Sequence, residues 1–84
     1  MAQGGSAQQA LGIAVRRLRR DRGLSQEQLA LESGLDRTYV GGVERGERNP
    51  TLESLRKLAT GLGMRPSQVL SQAERLKEWP QDAG

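Results

Sequence analysis

Gly34 separates two short helical patterns in the stretch 25–45 and constrains this chain more than any other residue. Ser25 can accept a hydrogen bond from the next turn, and Gln28, three places later, can reach back to it. This spacing is that of a capping box, and it predicts a helix beginning at Gln26. Glycine tolerates the left-handed backbone that the residue after a helix often needs. The pattern therefore predicts that this helix ends at Gly34.

A second helix is predicted to follow after a very short connection. Asp36 is a favourable N-cap for a helix beginning at Arg37, which leaves only the three residues 34–36 to turn the chain. Two helices joined by a turn of this length that contains glycine cross steeply. In the DNA-binding helix-turn-helix, that crossing places the second helix in the major groove. We call the helix that begins at Arg37 the recognition helix.

The residues of this stretch divide into an apolar side and a polar side. The residues that can point into the crossing of the two helices are Leu29, Ala30, Leu35, Val40 and Val43. The residues left on the open face of the recognition helix are Arg37, Thr38, Gly41 and Arg45. Such a face suits a DNA groove better than a protein core.

The same stretch resembles the phage-repressor/Cro-type (Xre-like) helix-turn-helix family, over a region from about Val15 to Leu70. Within that family, LDRTYVGGVERGERNPT is most similar to the controller proteins of restriction–modification systems. These are small dimeric regulators that bind operators upstream of their own gene and of the endonuclease gene. Controller-like sequences usually carry Ser where this chain has Gly41. The resemblance implies a homodimeric transcriptional regulator whose partner is double-stranded operator DNA.

The resemblance also implies roles for residues around the turn. Arg19 matches an arginine that pairs with the glutamate near the end of the recognition helix, here Glu44, so we expect a structural ion pair. Gln26 matches a glutamine that touches the DNA backbone, at a helix start where free N–H groups favour a phosphate. The alternative for Gln26 is a polar residue that merely begins a helix.

The loop that follows the recognition helix lies along the sugar-phosphate backbone in this family. Three of its residues are therefore candidates for backbone contacts, although an ordinary surface turn would explain them equally well: Arg48, Asn49 and Thr51.

Arg37 is the candidate for the main base reader, because a guanidinium bonded to guanine through two N–H groups is the commonest specific contact. Thr38 and Tyr39 are expected to meet thymine methyl groups or phosphates. Gly41 and Arg45 complete the expected DNA-binding set.

Composition narrows the possible functions. The 84 residues contain no Cys and no His, which removes thiol nucleophiles, imidazole bases, disulfides and the common zinc sites. We therefore expect neither an enzyme nor a bound metal or cofactor. The net charge is +3, and five arginines fall within residues 16–22. The N-terminus shows neither an apolar leader nor a membrane span, so the expected location is the cytoplasm, without a membrane partner.

The helical signals predict an all-α protein. We expect a five-helix bundle of the phage-repressor DNA-binding domain type over residues 6–79, with the helix-turn-helix at helices two and three. Caps at Ser6 and Thr51 begin the first and fourth helices, and the apolar side of the fourth helix is expected to begin at Leu52. The tails 1–5 and 80–84 are expected to be disordered.

The fifth helix is the expected site of self-association. Pro66 opens it, and its apolar positions continue toward Trp79. Leu76 and Trp79 are expected at a dimer axis, together with Val69 or Met64, because a Trp at the end of an amphipathic helix suggests an interface. The alternative is that this segment folds back on its own monomer.

Two other functions use the same fold. An antitoxin of a toxin–antitoxin pair would bind DNA in the same way and a second protein through Ile13, Leu31 and Leu76. An adaptor would recruit transcription machinery such as RNA polymerase without reading sequence, because fold alone does not determine function. Arg37 and Arg45 on the recognition face argue against the adaptor.

Overall fold

Five helices and no strand occupy residues 6–81, the part of the chain that the computed structural model describes. In chain order they are α1 Ala7–Asp21, α2 Gln26–Ser33, α3 Arg37–Glu44, α4 Leu52–Gly61 and α5 Pro66–Glu74. The all-α expectation is confirmed, with the helix-turn-helix at α2 and α3. The expected tail 1–5 and residues 82–84 of the expected tail 80–84 lie outside the described residues. Between residues 6 and 81, no helix is both long enough and apolar enough to cross a membrane.

The helices begin where the sequence predicts because polar side chains cap them. Backbone N–H groups of the first turn donate to the side chains of Ser6, Ser25, Asp36 and Thr51. Gly34 ends α2 in the left-handed conformation, with φ +69°. This lets the next N–H, of Leu35, return to the carbonyl of Ala30 at 2.9 Å. The turn is thus held by backbone bonds that only a residue tolerant of positive φ allows without strain.

Contacts between the helices place the core at the centre of the bundle. α1 packs against α3 and α5, α2 packs against α3 and α4, and α4 packs against α5. Of the residues predicted to fill the crossing of α2 and α3, Leu35 is partly buried and four are buried: Leu29, Ala30, Val40 and Val43. The recognition helix, α3, is therefore backed by apolar contacts along one side, and its exposed residues, Arg37 and Thr38, lie at its start.

The prediction that the fifth helix continues toward Trp79 is wrong. α5 ends at Glu74, and tighter i→i+3 bonds follow, including one from the Trp79 N–H to the carbonyl of Leu76 at 3.0 Å. Pro80 disfavours helical backbone at the residue before it. The turns let both Leu76 and Trp79 pack against the core of their own chain.

Two apolar residues lie differently from expectation. Val69, expected at a dimer interface, has no exposed surface, because it faces the core between α1 and α4. Leu52, on the predicted apolar side of the fourth helix, is 79% exposed because it stands in the first turn of α4, at the edge of the bundle. Leu31, which an antitoxin would use to bind a second protein, is 83% exposed.

Gly12 sets the distance between α1 and α3. A Cβ at this position would overlap with the carbonyl oxygens of Val43 and Glu44 at the end of α3. Backbone atoms cannot move aside as a flexible side chain can, so only glycine permits this close approach.

We predict that Gly12→Ala lowers the free energy of unfolding by about 1–3 kcal/mol, the usual cost of overpacking. Urea denaturation measures the change. Gly41→Ala is the matched control, because its nearest neighbour is the mobile end of Arg45 at 3.0 Å and alanine favours the helix. Equal stability of Gly12→Ala and the wild type would contradict the close approach.

Candidate DNA-binding surface

A buried ion pair joins α1 to the end of the recognition helix. The Arg19 Nε donates to Glu44 Oε2 at 2.6 Å, and Nη2 donates to Oε1 at 3.0 Å. Both residues are less than a tenth exposed. The hydrogen-bonded carboxylate raises the pKa of the Arg19 guanidinium above its ordinary value. The pair expected from the resemblance is thus present, with the two-point geometry that stabilises a guanidinium–carboxylate contact.

Two further hydrogen bonds extend this pair into α2. The third nitrogen of the guanidinium, Nη1 of Arg19, donates to the Leu24 carbonyl at 2.8 Å. The Gln26 Nε2 donates to Glu44 Oε1 at 3.0 Å. Gln26, expected to touch the DNA backbone, therefore has its side-chain N–H directed at a protein carboxylate. α1, α2 and α3 meet at this one network, so it determines how α3 stands relative to the other helices.

The start of the recognition helix is open to solvent. Arg37 and Thr38 are exposed, and Tyr39 is partly buried against the core. The carboxylate of Asp36 accepts from the Thr38 N–H at 3.0 Å and so occupies one free donor of the helix end. The expected base reader thus projects from an end of α3 that is capped and rigid.

Gly41 is not an open position of the recognition face. Its surface is covered, because a Cβ at Gly41 would lie 3.0 Å from Arg45 Nη1 and 3.4 Å from Gln26 Oε1. The expectation that Gly41 itself faces DNA is corrected accordingly: the neighbouring side chains occupy the space that its missing side chain leaves.

Gly42 has a comparable role on the adjacent side of α3. A Cβ at Gly42 would collide with Cγ of Arg48, at 2.6 Å, so the aliphatic part of Arg48 lies directly against the helix. Its guanidinium then stands 5.8 Å from the centre of the Tyr39 ring, within the range of a cation–π contact. Two adjacent glycines in a recognition helix indicate that other side chains pack closely against it. The sequence does not reveal that these side chains are Arg45 and Arg48.

The loop after α3 is anchored to α1. The Gln8 Nε2 donates to the Gly46 carbonyl at 2.6 Å. Arg48 and Asn49 are exposed beyond this anchor, whereas the Thr51 hydroxyl accepts from the Ser54 N–H at 3.0 Å in capping α4. The structure therefore places these three residues on one exposed loop next to the recognition helix, with the hydroxyl of Thr51 already in use.

We predict that Glu44→Ala lowers the free energy of unfolding by about 3–5 kcal/mol, because it leaves the Arg19 charge buried without a partner. Thermal melts without DNA measure this. Glu53→Ala is the control, since it breaks the exposed pair between Glu53 and Arg56 and should have a far smaller effect. Similar melts for Glu44→Ala and Glu53→Ala would mean that the pair has no special structural role.

The sequence is similar to those of known helix-turn-helix proteins. A family model described as Helix-turn-helix matches residues 15–69. The control protein C.SmaI of Serratia marcescens is 53% identical over 57 residues, which are 68% of this chain and 68% of that protein.

Solved structures have the same fold. The crystal structure of the restriction–modification controller protein C.AhdI from Aeromonas hydrophila has 54% identity and a TM-score of 0.71, over 73% of this chain and 92% of that one. The clp gene regulator ClgR from Corynebacterium glutamicum has 32% identity and a TM-score of 0.81, over 87% of this chain and 94% of that one. The chain belongs to the helix-turn-helix family of DNA-binding transcriptional regulators, close to the restriction–modification controller proteins.

Proposed function

We propose that this protein is a controller-type transcriptional regulator that binds a pseudo-palindromic operator as a homodimer. The observation that carries the proposal is the exposed start of α3, at Arg37 and Thr38, on a helix fixed by the buried pair of Arg19 and Glu44. Such a regulator works where the DNA is, which favours the cytoplasm, and it would meet RNA polymerase at the promoter.

Arg37 is the main base reader in this proposal. Its guanidinium is exposed at the first position of the helix that would enter the major groove, and arginine matches the two acceptors of guanine there. Thr38 and Tyr39 would contact thymine methyl groups or phosphates beside it. The side-chain N–H of Gln26 is bonded to Glu44, so Gln26 would meet the DNA backbone through its main-chain N–H at the start of α2.

The loop supports the helix by contacts to the DNA backbone. Arg48 and Asn49 are exposed next to α3, and the guanidinium of Arg48 is held near Tyr39. A phosphate contact here would orient the protein on DNA without adding sequence information. Thr51 would reach the backbone from the same loop.

Specific binding requires a second copy of the chain. A recognition helix of 8 residues reaches only a few base pairs, and one such module rarely provides the roughly 10³–10⁷-fold preference over non-specific DNA that regulators show. Two-fold symmetry would place the two helices about 34 Å apart, one turn of DNA. The operator should then have two half-sites with centres about ten base pairs apart.

The end of the chain is the proposed dimer surface. Leu76 and Trp79 are only partly buried. Trp79 lines an open groove of about 200 Å³ together with the apolar side chains of Leu11, Leu52, Leu55 and Leu70 and with the loop residues Asn49, Pro50 and Thr51. Leu52 is exposed on the wall of this groove, so a second copy docking here would cover apolar surface that the monomer leaves in water. Val69 supports this surface from the core and does not contribute to it directly.

We predict that Arg37→Ala weakens binding to the best operator by about 1–3 kcal/mol and relaxes one position of each half-site. Selection from a random DNA pool, followed by titration on the selected site, measures both effects. Gln26→Ala should lower the affinity for all sequences to a similar degree. An unchanged consensus with Arg37→Ala would exclude its role as base reader, and a wild type that selects no consensus would refute sequence-specific binding.

We predict that Leu52→Glu raises the dimer dissociation constant by roughly tenfold or more, because an unpaired carboxylate would have to be buried at the interface. Sedimentation equilibrium measures it. Leu31→Glu is the matched control, since Leu31 is equally exposed but lies on α2. The groove is not the interface if Leu52→Glu dimerises like the wild type.

A second candidate function, the antitoxin, draws support from the exposure of Leu31 alone. In that case a second protein would cover Leu31 and Ile13. A second protein that co-purifies with the wild type from the source cells, but not with Leu31→Glu, would favour this function over a controller that acts alone. Leu31→Glu should select the same DNA sequences as the wild type.

A further inference from the structure

The middle of the recognition face carries no side chain of its own. Arg37, Gly41 and Arg45 are spaced four residues apart, so they lie on one face of α3 and follow one another along it. Gly41 is the central position of the three.

The guanidinium of Arg45 occupies this central position. Its Nη1 lies 3.0 Å from the point where a Cβ of Gly41 would be. Side chains on a helix lean toward its N-terminus and so cover the preceding turn. Arg45 follows this rule from the C-cap of α3, and its charged end therefore returns to the centre of the face instead of extending past the helix end.

Two neighbours border the Arg45 side chain. Its Nε forms an ion pair with Glu47 Oε1 at 3.1 Å. On the other side, Gln26 borders the same space, and Gln26 is itself held by its hydrogen bond to Glu44. The side chain of Arg45 nevertheless remains 57% exposed, so it is open to a ligand. A planar fork that already points toward the centre of the face suits a directional contact.

We propose that Arg45 is a second specificity-determining residue, which reads a guanine from the position that Gly41 leaves vacant. This inference rests on the proposed function, since it requires α3 to lie in the major groove. The planar fork of arginine matches the O6 and N7 acceptors of guanine. The rival role is a phosphate contact, which any positive charge near the DNA backbone can make. The central position of the guanidinium, between Arg37 and the end of the helix, favours the base.

Arg45→Lys separates these two roles, because lysine keeps the charge but not the planar fork. We expect its selected consensus to lose one position, with a roughly 5- to 150-fold fall in the preference for the best base there. That position should differ from the one that Arg37→Ala relaxes. Arg56→Ala is the matched control, since Arg56 is also an exposed arginine paired with a carboxylate but lies on α4, and it should leave the consensus unchanged.

Gly41→Ser tests the same geometry without changing Arg45. The serine Cβ would meet Nη1 at a distance tighter than ordinary contact, and the flexible guanidinium would move away from the centre of the face. The same consensus position should weaken or change identity. Circular dichroism of each variant confirms folding, and Gly41→Ser decides the matter if the Arg45 variant does not fold.

The outcomes are distinguishable. A wild-type consensus retained by both Arg45→Lys and Gly41→Ser would overturn the inference. If Arg45 contacts a phosphate, Arg45→Lys should bind the operator as tightly as the wild type. Arg45→Ala should then bind all sequences more weakly, and the slope of its log binding constant against log salt concentration should fall by about one. That result would also overturn base reading by Arg45. A wild type that selects no consensus at all would instead refute the proposed function on which the inference rests.

Discussion

The hydrogen-bonded ion pair between Arg19 and Glu44 is the interaction on which the remaining structure depends. Glu44 is the last residue of α3, where the helix dipole disfavours a negative charge, and it is almost fully buried. Arg19 compensates for both effects through two hydrogen bonds and joins α1 to α3, while Gln26 adds α2 to the same carboxylate. The recognition helix has only 8 residues, which is too short for a stable isolated helix. Both its formation and its orientation therefore depend on such tertiary contacts.

The recognition helix contains two adjacent glycines, which is unfavourable for a helix by itself. Gly41 and Gly42 together cost an isolated helix about 2 kcal/mol relative to alanine. In the folded chain, each leaves room for an arginine that follows the helix: Arg45 over Gly41, and Arg48 over Gly42. In the proposed binding mode, these two side chains from beyond the helix would form part of the surface that meets DNA.

Local rules account for most of what the sequence predicted correctly. Ser25, Asp36 and Gly34 act through neighbours only two to five residues away, so the limits of α2 and the start of α3 follow from short-range hydrogen bonds. The pair of Arg19 and Glu44 was expected from family resemblance, because its partners are 25 residues apart and no local pattern joins them. The end of α5 was mispredicted, since apolar spacing alone does not reveal where a chain turns back to pack Trp79 against the core.

The sequence by itself determined the five helices, the turn at Gly34 and the polar start of α3 at Arg37, because each depends on backbone hydrogen bonds and apolar spacing within a short segment. Only the tertiary structure decided that Val69 is enclosed and that Leu52 is exposed, since both have apolar side chains at helical spacing and differ only in what packs against them. It also decided the position of the Arg45 guanidinium. A long side chain can lie in several directions from the same backbone, and the space above Gly41, between Gln26 and the end of α3, exists only once the helices have packed.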